Sequence, residues 1–180
     1  MKSFEQLLTP QEQALDHEFW TDDQHLNQIA TWLENCNHIV DLGSGIGKFC
    51  FKASTLINAS FTGFELRSNL YKRSLTINLA LSRSITFKNT DFLKEDLSPF
   101  DGIYFFNPFV ESISLSSKID TQIKSSEKDY YQFHQQLQQQ LEHLPSETKL
   151  VINSPYTDFV PSTFTLEDQE ESLTLWIKTD

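Results

Sequence analysis

The densest chemistry in the chain lies in Asp41-Leu42-Gly43-Ser44-Gly45-Ile46-Gly47. Glycines at alternate positions allow positive φ and let a ligand approach the main chain closely. They stand between an apolar run, His38 to Leu42, and a helical pattern, so free backbone N–H groups face whatever occupies the loop. Asp41 sets a carboxylate two residues ahead of the first glycine. Glu65 ends the next apolar run, 22 residues beyond Gly43. A carboxylate there can accept hydrogen bonds from both hydroxyls of a ribose. Asn89-Thr90-Asp91-Phe92 follows a third short run. Asp91 can accept from an adenine 6-amino group and Phe92 can pack on the ring, or the pair is a turn Asp beside a core Phe; composition weighs these evenly.

Two nucleotide ligands suit a loop of this kind. A dinucleotide fingerprint, G-x-G-x-x-G, wants glycine at position 48. This chain has Lys48 there, and its glycines follow G-x-G-x-G. An anionic Asp41 would repel a pyrophosphate but would suit the cationic amino-acid end of S-adenosylmethionine (SAM). That ligand is the expected cofactor, with Asp41, Gly43, Ser44, Gly45, Gly47, Glu65, Asp91, Phe92 and Asn107 as its contacts. Cys36 and Cys50 are the only cysteines and form no Cys/His cluster, so no metal site is expected.

Asn107-Pro108-Phe109 follows a fourth apolar run, 101–106, at the point where a doubly wound sheet opens its crevice. Asn107 carries an amide oxygen that can accept a hydrogen bond, and Phe109 offers an aromatic face. Glu111 is a candidate base just beyond, with Tyr104, His17 and Tyr156 weaker ones. His17, Phe19 and Trp20 fall on an N-terminal helical stretch that either covers the ligand or packs in the core.

The elements that must position these residues follow from periodicity. Residues 11–35 have helical spacing, opened by Pro10 and broken near Thr21-Asp22-Asp23, which has N-cap chemistry. Strands are expected at 38–42, 61–65, 85–88, 101–106 and 148–153. Helices are expected at about 46–57, 67–81 (Leu70, Leu75, Ile77, Leu79 and Leu81 partly sharing a face) and from Tyr130 to Leu144. The Ser-rich segment 111–126 reads as a loop or lid. The tail, TFTLEDQEESLTLWIK, alternates twice around an acidic turn and reads as a hairpin. Strands alternating with helices imply an α/β, Rossmann-like doubly wound sheet, mostly parallel, with an antiparallel edge from the hairpin. The 180 residues fit one domain, with 1–36 as a helical cap and 37–180 as the α/β core.

Composition excludes several function classes. The net charge of −11 opposes a wide nucleic-acid footprint, although eight of the fourteen basic residues fall in 48–94. No run approaches the roughly 20 apolar residues of a membrane span. The N-terminus lacks the apolar region of a signal peptide, so a cytoplasmic location is expected.

On these residues the chain resembles the class I SAM-dependent methyltransferases, from about Leu15 to Lys178. The resemblance implies a seven-stranded sheet with its last strand inserted antiparallel. It places the methionine part of SAM on Asp41 to Gly47, the ribose on Glu65 and the adenine on Asp91 and Phe92. Asn107-Pro108-Phe109 is similar to the [D/N/S]-P-P-[Y/F] motif of enzymes that methylate amino groups of bases or amides, but has one proline where that motif has two. The opening stretch and the phrase FFNPF resemble a small bacterial subgroup. The implied activity is in-line methyl transfer to a nitrogen nucleophile on a small molecule or protein side chain. The alternatives are a non-catalytic SAM-binding regulator or partner subunit and, less in keeping with the loop, a nicotinamide-dependent oxidoreductase.

Overall fold

The structure is a computed structural model that describes residues 2–106, 108 and 127–179, without the side chains of 16–19, 127 and 128. Seven strands form a single sheet in the order β3-β2-β1-β4-β5-β7-β6. The strands are β1 (His38–Leu42), β2 (Ser60–Glu65), β3 (Thr86–Asn89), β4 (Gly102–Phe105), β5 (Lys149–Asn153), β6 (Phe164–Glu170) and β7 (Leu173–Lys178). β1 to β5 pair in parallel, and β7 runs antiparallel to both β5 and β6. The helices are α1 (Pro10–Phe19), α2 (Asp23–Leu33), α3 (Lys48–Ala53), α4 (Ser68–Leu81) and α5 (Glu127–Glu142).

Parallel strands covered on both faces must be apolar on both faces. Alternation along β1 sends Val40 and Leu42 into a cluster with Phe64, Ile103, Leu137 and Leu141, under α5. It sends Ile39 into the opposite cluster with Leu33, Phe49, Ile77 and Tyr104, under α2, α3 and α4. Asp41 lies on that second face, in a register row that runs Phe87, Gly63, Asp41, Tyr104, Val151, Leu175. One carboxylate thus stands in an otherwise apolar row. At the far edge β6 is exposed beyond Phe164 and carries a bulge between Leu166 and Asp168. Acidic side chains and a bulge both discourage edge-to-edge pairing with another sheet.

Specific polar bonds fasten the N-terminal helices to α3 and α4. Thr9 Oγ1 accepts from the Glu12 amide (3.2 Å) and Glu12 accepts from the Thr9 amide (2.7 Å), a reciprocal capping box at the start of α1. Glu12 also takes a two-pronged contact from Arg73 of α4, at 2.6 and 2.9 Å. Asp22 caps α2 through the Gln24 amide at 3.1 Å, where the sequence places a cap. Lys52 of α3 pairs with Glu5 and Asp23.

Two expectations change. α3 spans six residues, shorter than 46–57. Gly45 and Gly47 sit at φ +56 and +92, outside helical space, so the helix starts at Lys48. At its other end Ser54 and Thr55 fold their hydroxyls back on the Phe51 and Lys52 carbonyls, favouring a turn. On α4 the buried positions are Ser74, Ile77 and Leu81, while Leu75 and Leu79 are exposed. The helix buries a 74/77/81 stripe and leaves two leucines in solvent. The segment 111–126, expected as a loop or lid, lies outside the described residues.

Candidate functional site

The glycine loop leaves β1 and folds over its end. Gly43 and Ser44 both donate their amides to the Phe64 carbonyl on β2, at 3.0 and 2.9 Å. Gly43, Gly45 and Gly47 all have positive φ (87, 56 and 92°). Two of them also have no room for a side chain. A Cβ on Gly47 would lie 2.6 Å from the Phe87 ring, and one on Gly43 would lie 2.7 Å from Pro108 Cβ. The loop is therefore set by its glycines and wedged between the core below and Pro108 beside it.

Glu65, at the end of β2, turns its carboxylate into this loop. Its Oε2 accepts from the Gly45 amide at 2.8 Å and its Oε1 from the Arg67 amide at 2.6 Å. Its own carbonyl, and that of Leu66, are held by Asn89 Nδ2 at 2.8 and 3.0 Å. Asn89 is the register partner of Glu65 on β3. The end of β2 is thus braced from both neighbours, which fixes where the carboxylate points.

Asp41 is 4% exposed. Cys50 of α3 donates its thiol to Asp41 Oδ2 at 3.7 Å. Burial pushes the Asp41 carboxyl up to about 8, against the thiol contact that favours the anion; the nearby Glu65 carboxylate pushes it further the same way. The Cys50 thiol is raised by burial and by Asp41. A neutral carboxyl in dry surroundings is the expected state of such a group when no cation is near.

Beside Asp41, Tyr104 is fully buried and stacks on Phe49, with centroids 3.9 Å apart. Its hydroxyl lies 2.7 Å from Thr21 Oγ1 and accepts a longer contact from Asn153 at 3.5 Å. Asn153 in turn accepts from Ser172 at 3.1 Å. The cap, β4, β5 and the hairpin thus share one buried polar chain. Burial raises the Tyr104 hydroxyl, which holds its proton and serves structure. Lys48, the residue in the third-glycine position of a dinucleotide loop, is buried and reaches the cap at Asp23, 3.4 Å away.

Asp41, Gly43, Ser44, Gly45, Gly47 and Glu65 therefore converge, and Pro108 stands against them. Asp91 lies further along the carboxyl edge of the sheet. It caps a short 3-10 turn (Phe92–Lys94), accepting from the Leu93 amide at 3.2 Å, and pairs with Lys94 at 3.1 Å. Phe92 is buried in the cluster under α5. Asn107, Phe109 and Glu111 lie outside the described residues, as does the side chain of His17. Tyr156 is exposed. Among the described residues no group of His, Cys, Asp and Glu is arranged to hold a metal, and no helix is long and apolar enough to cross a membrane.

Pattern reading leaves Trp20 between covering the ligand and packing in the core, and gives Thr21, Asn89 and Lys48 no part in building the site. Asn89 had a legible signal, since it ends β3 opposite Glu65. Trp20 and Thr21 are remote in sequence and reach the site only through the packing of the cap.

No family model matches the chain, and no curated relative is similar to it in sequence. Solved structures are similar in fold. An RNA methyltransferase from Salinibacter ruber in complex with S-adenosyl-L-homocysteine (SAH) superimposes with a TM-score of 0.61 at 17% identity, covering 89% of this chain and 94% of that one. The N-methyltransferase NodS from Bradyrhizobium japonicum does so at 0.62 and 12% identity, covering 87% and 94%. The sheet order and its antiparallel seventh strand are thus those of the class I SAM-dependent methyltransferases, and the chain has that fold.

Proposed function

We propose that the protein is a SAM-dependent methyltransferase that acts on a nitrogen nucleophile. The observation that carries the reading is the convergence of the loop, Asp41 and Glu65 in one braced site at the carboxyl ends of β1 and β2. The groups present suit the ligand. At Gly45 the nearest atoms to a side-chain position are those of the Trp20 indole, 3.6 Å away. Asp41 offers a buried carboxyl to an ammonium group, and Glu65 offers acceptors to ribose hydroxyls. Ser44 Oγ is buried without a partner at the same loop, so a ligand atom would relieve the cost of an unmade hydrogen bond there.

SAM, when bound, supplies a methyl group on a positively charged sulfur that departs without acid assistance. The protein's share is alignment and exclusion of water. Pro108 packs on Gly43, and Asn107 and Phe109 are its neighbours in sequence. Asn107 would accept a hydrogen bond from the acceptor nitrogen and Phe109 would cover its planar face. An acceptor that arrives as an ammonium ion must first lose a proton to a base or to water. The acidic surface favours a small amine or a protein side chain over nucleic acid.

Calorimetric titration with SAM, SAH and NAD tests the reading, using the wild type and the Asp41→Ala and Glu65→Ala variants. Binding of both sulfur compounds, lost in the variants and absent for NAD, is expected. Folded protein that binds neither sulfur compound refutes it. Binding with no turnover against a wide amine and protein panel, using radiolabelled SAM, would assign the chain a non-catalytic SAM-dependent role.

A further inference from the structure

The chain has three tryptophans, and their indole nitrogens differ in one respect. Trp32 Nε1 donates to Asp168 Oδ2 at 3.0 Å, and Trp176 Nε1 donates to Thr174 Oγ1 at 2.9 Å. Trp20 Nε1 is buried without a partner, in a residue 7% exposed. An indole N–H is a donor only, and buried indoles usually find an acceptor. This one is aimed at the glycine loop: Nε1 lies 3.6 Å from where a Cβ of Gly45 would stand.

The position of Trp20 is held. Its neighbour Thr21 is bonded to the Tyr104 hydroxyl at 2.7 Å, and Asp22 caps α2. Tyr104 is the register partner of Asp41 across the β1–β4 pair. Trp20 is therefore held from the β4 side of the loop, its neighbour bonded to the register partner of Asp41. Glu65 and β3 lie on the other side, toward β2. A ligand whose ribose meets Glu65 turns its amino-acid end toward Asp41 and hence toward Trp20. At that end Asp41 suits the ammonium, and the remaining group is a carboxylate, which takes hydrogen bonds and cannot give them.

We propose that Trp20 is a ligand-contacting residue whose indole N–H donates to the carboxylate of the amino-acid end of SAM or SAH. The inference rests on the SAM reading above and adds the cap to the binding site. Trp20 then selects for the intact amino acid, and the α1–α2 junction becomes one wall of the cofactor site.

Calorimetry on wild type and Trp20→Phe, with SAH and with decarboxylated SAH, tests this. Phenylalanine keeps an aromatic ring and removes the donor. A lost hydrogen bond to a charged group predicts SAH binding weaker by about 10- to 100-fold, with decarboxylated SAH unaffected. Indole ¹⁵N–¹H spectra of the wild type supply a second readout, assigned with Trp32→Phe and Trp176→Phe. The Trp20 indole proton is expected to move downfield with SAH and to stay in place with the decarboxylated compound. Equal weakening of both ligands, or the same indole shift with both, overturns the inference and leaves Trp20 as packing. Unchanged SAH affinity in Trp20→Phe overturns it while the SAM reading stands. Wild type that binds neither compound refutes both together. If Trp20→Phe does not fold, the wild-type indole spectra decide alone.

Discussion

Asp41→Asn should make the ligand-free protein more stable at neutral pH, and the gain should grow with pH. In the folded chain burial carries the Asp41 carboxyl from its ordinary 3.8 up to about 8. Between those values the folded state holds a proton that the unfolded state has released. Stability contributed by the neutral carboxyl is whole below about pH 4 and is lost as pH climbs toward 8. Each pH unit corresponds to about 1.4 kcal/mol. From 3.8 to pH 7 is roughly three units, so up to ~4 kcal/mol separates wild type from a variant with no proton to lose. Asparagine keeps the size and an oxygen for the Cys50 thiol to meet. Urea unfolding of both proteins at pH 5, 6, 7 and 8 reads the difference directly, because every other carboxyl is common to both. A gap that widens with pH supports the reasoning. Parallel stability curves would refute it, by showing that Asp41 titrates alike in the folded and unfolded chain.

Other perturbations have defined outcomes. Gly47→Ala must place a Cβ at φ +92 and against Phe87 and Phe51. Left-handed strain and overpacking together cost about 3–5 kcal/mol, read as a thermal midpoint lower by roughly 10 °C. Thr21→Val removes the close partner of the Tyr104 hydroxyl and should cost about 1–3 kcal/mol in urea unfolding; an unchanged midpoint would mean that Asn153 alone satisfies that hydroxyl. Glu65→Gln retains size but weakens two charge-assisted bonds to the Gly45 and Arg67 amides. Amide hydrogen exchange at Gly45 should rise, and SAH affinity should fall by about 10-fold or more. Arg73→Lys breaks the two-pronged contact with Glu12 and should raise exchange across α1 while leaving β1 and β4 protected.

The fold was largely legible because its signals are local. The apolar runs, the glycine loop and the acidic hairpin each declare their structure within a few residues. The ends of α3 were not legible, since an apolar pattern continues through Ile46 and Ile57 whatever the backbone does. The exposed Leu75 and Leu79 of α4 show the same weakness, because periodicity counts leucines and cannot see which stripe the sheet covers. Asp41, Glu65 and the glycines stood out by spacing along one β–α–β unit. Trp20 did not, because its relation to Gly45 depends on how two cap helices dock about 25 residues upstream of the loop. Asp91 and Phe92 stood evenly between two readings, and the structure gives Asp91 a capping role and Phe92 a place in the core.

Asp41 also changes the argument about what the loop selects. Read from sequence, its carboxylate is an anion that repels a pyrophosphate. In the folded chain burial leaves it mostly protonated at neutral pH, so simple repulsion loses most of its force. Selection then falls to shape and to the response of the site. Lys48 fills the position where a dinucleotide loop needs a third glycine, and its side chain is committed to Asp23. Pro108 closes the space over Gly43. A cation arriving beside Asp41 restores its charge, expels the proton and gains an ion pair in dry surroundings; an anion arriving there gains nothing comparable. Discrimination of this kind predicts a proton released on binding. It is measurable as a SAH binding enthalpy that varies with the ionisation enthalpy of the buffer at pH 7. The variation should vanish in Asp41→Asn. Its absence from the wild type would show that the ligand's cationic end is held elsewhere.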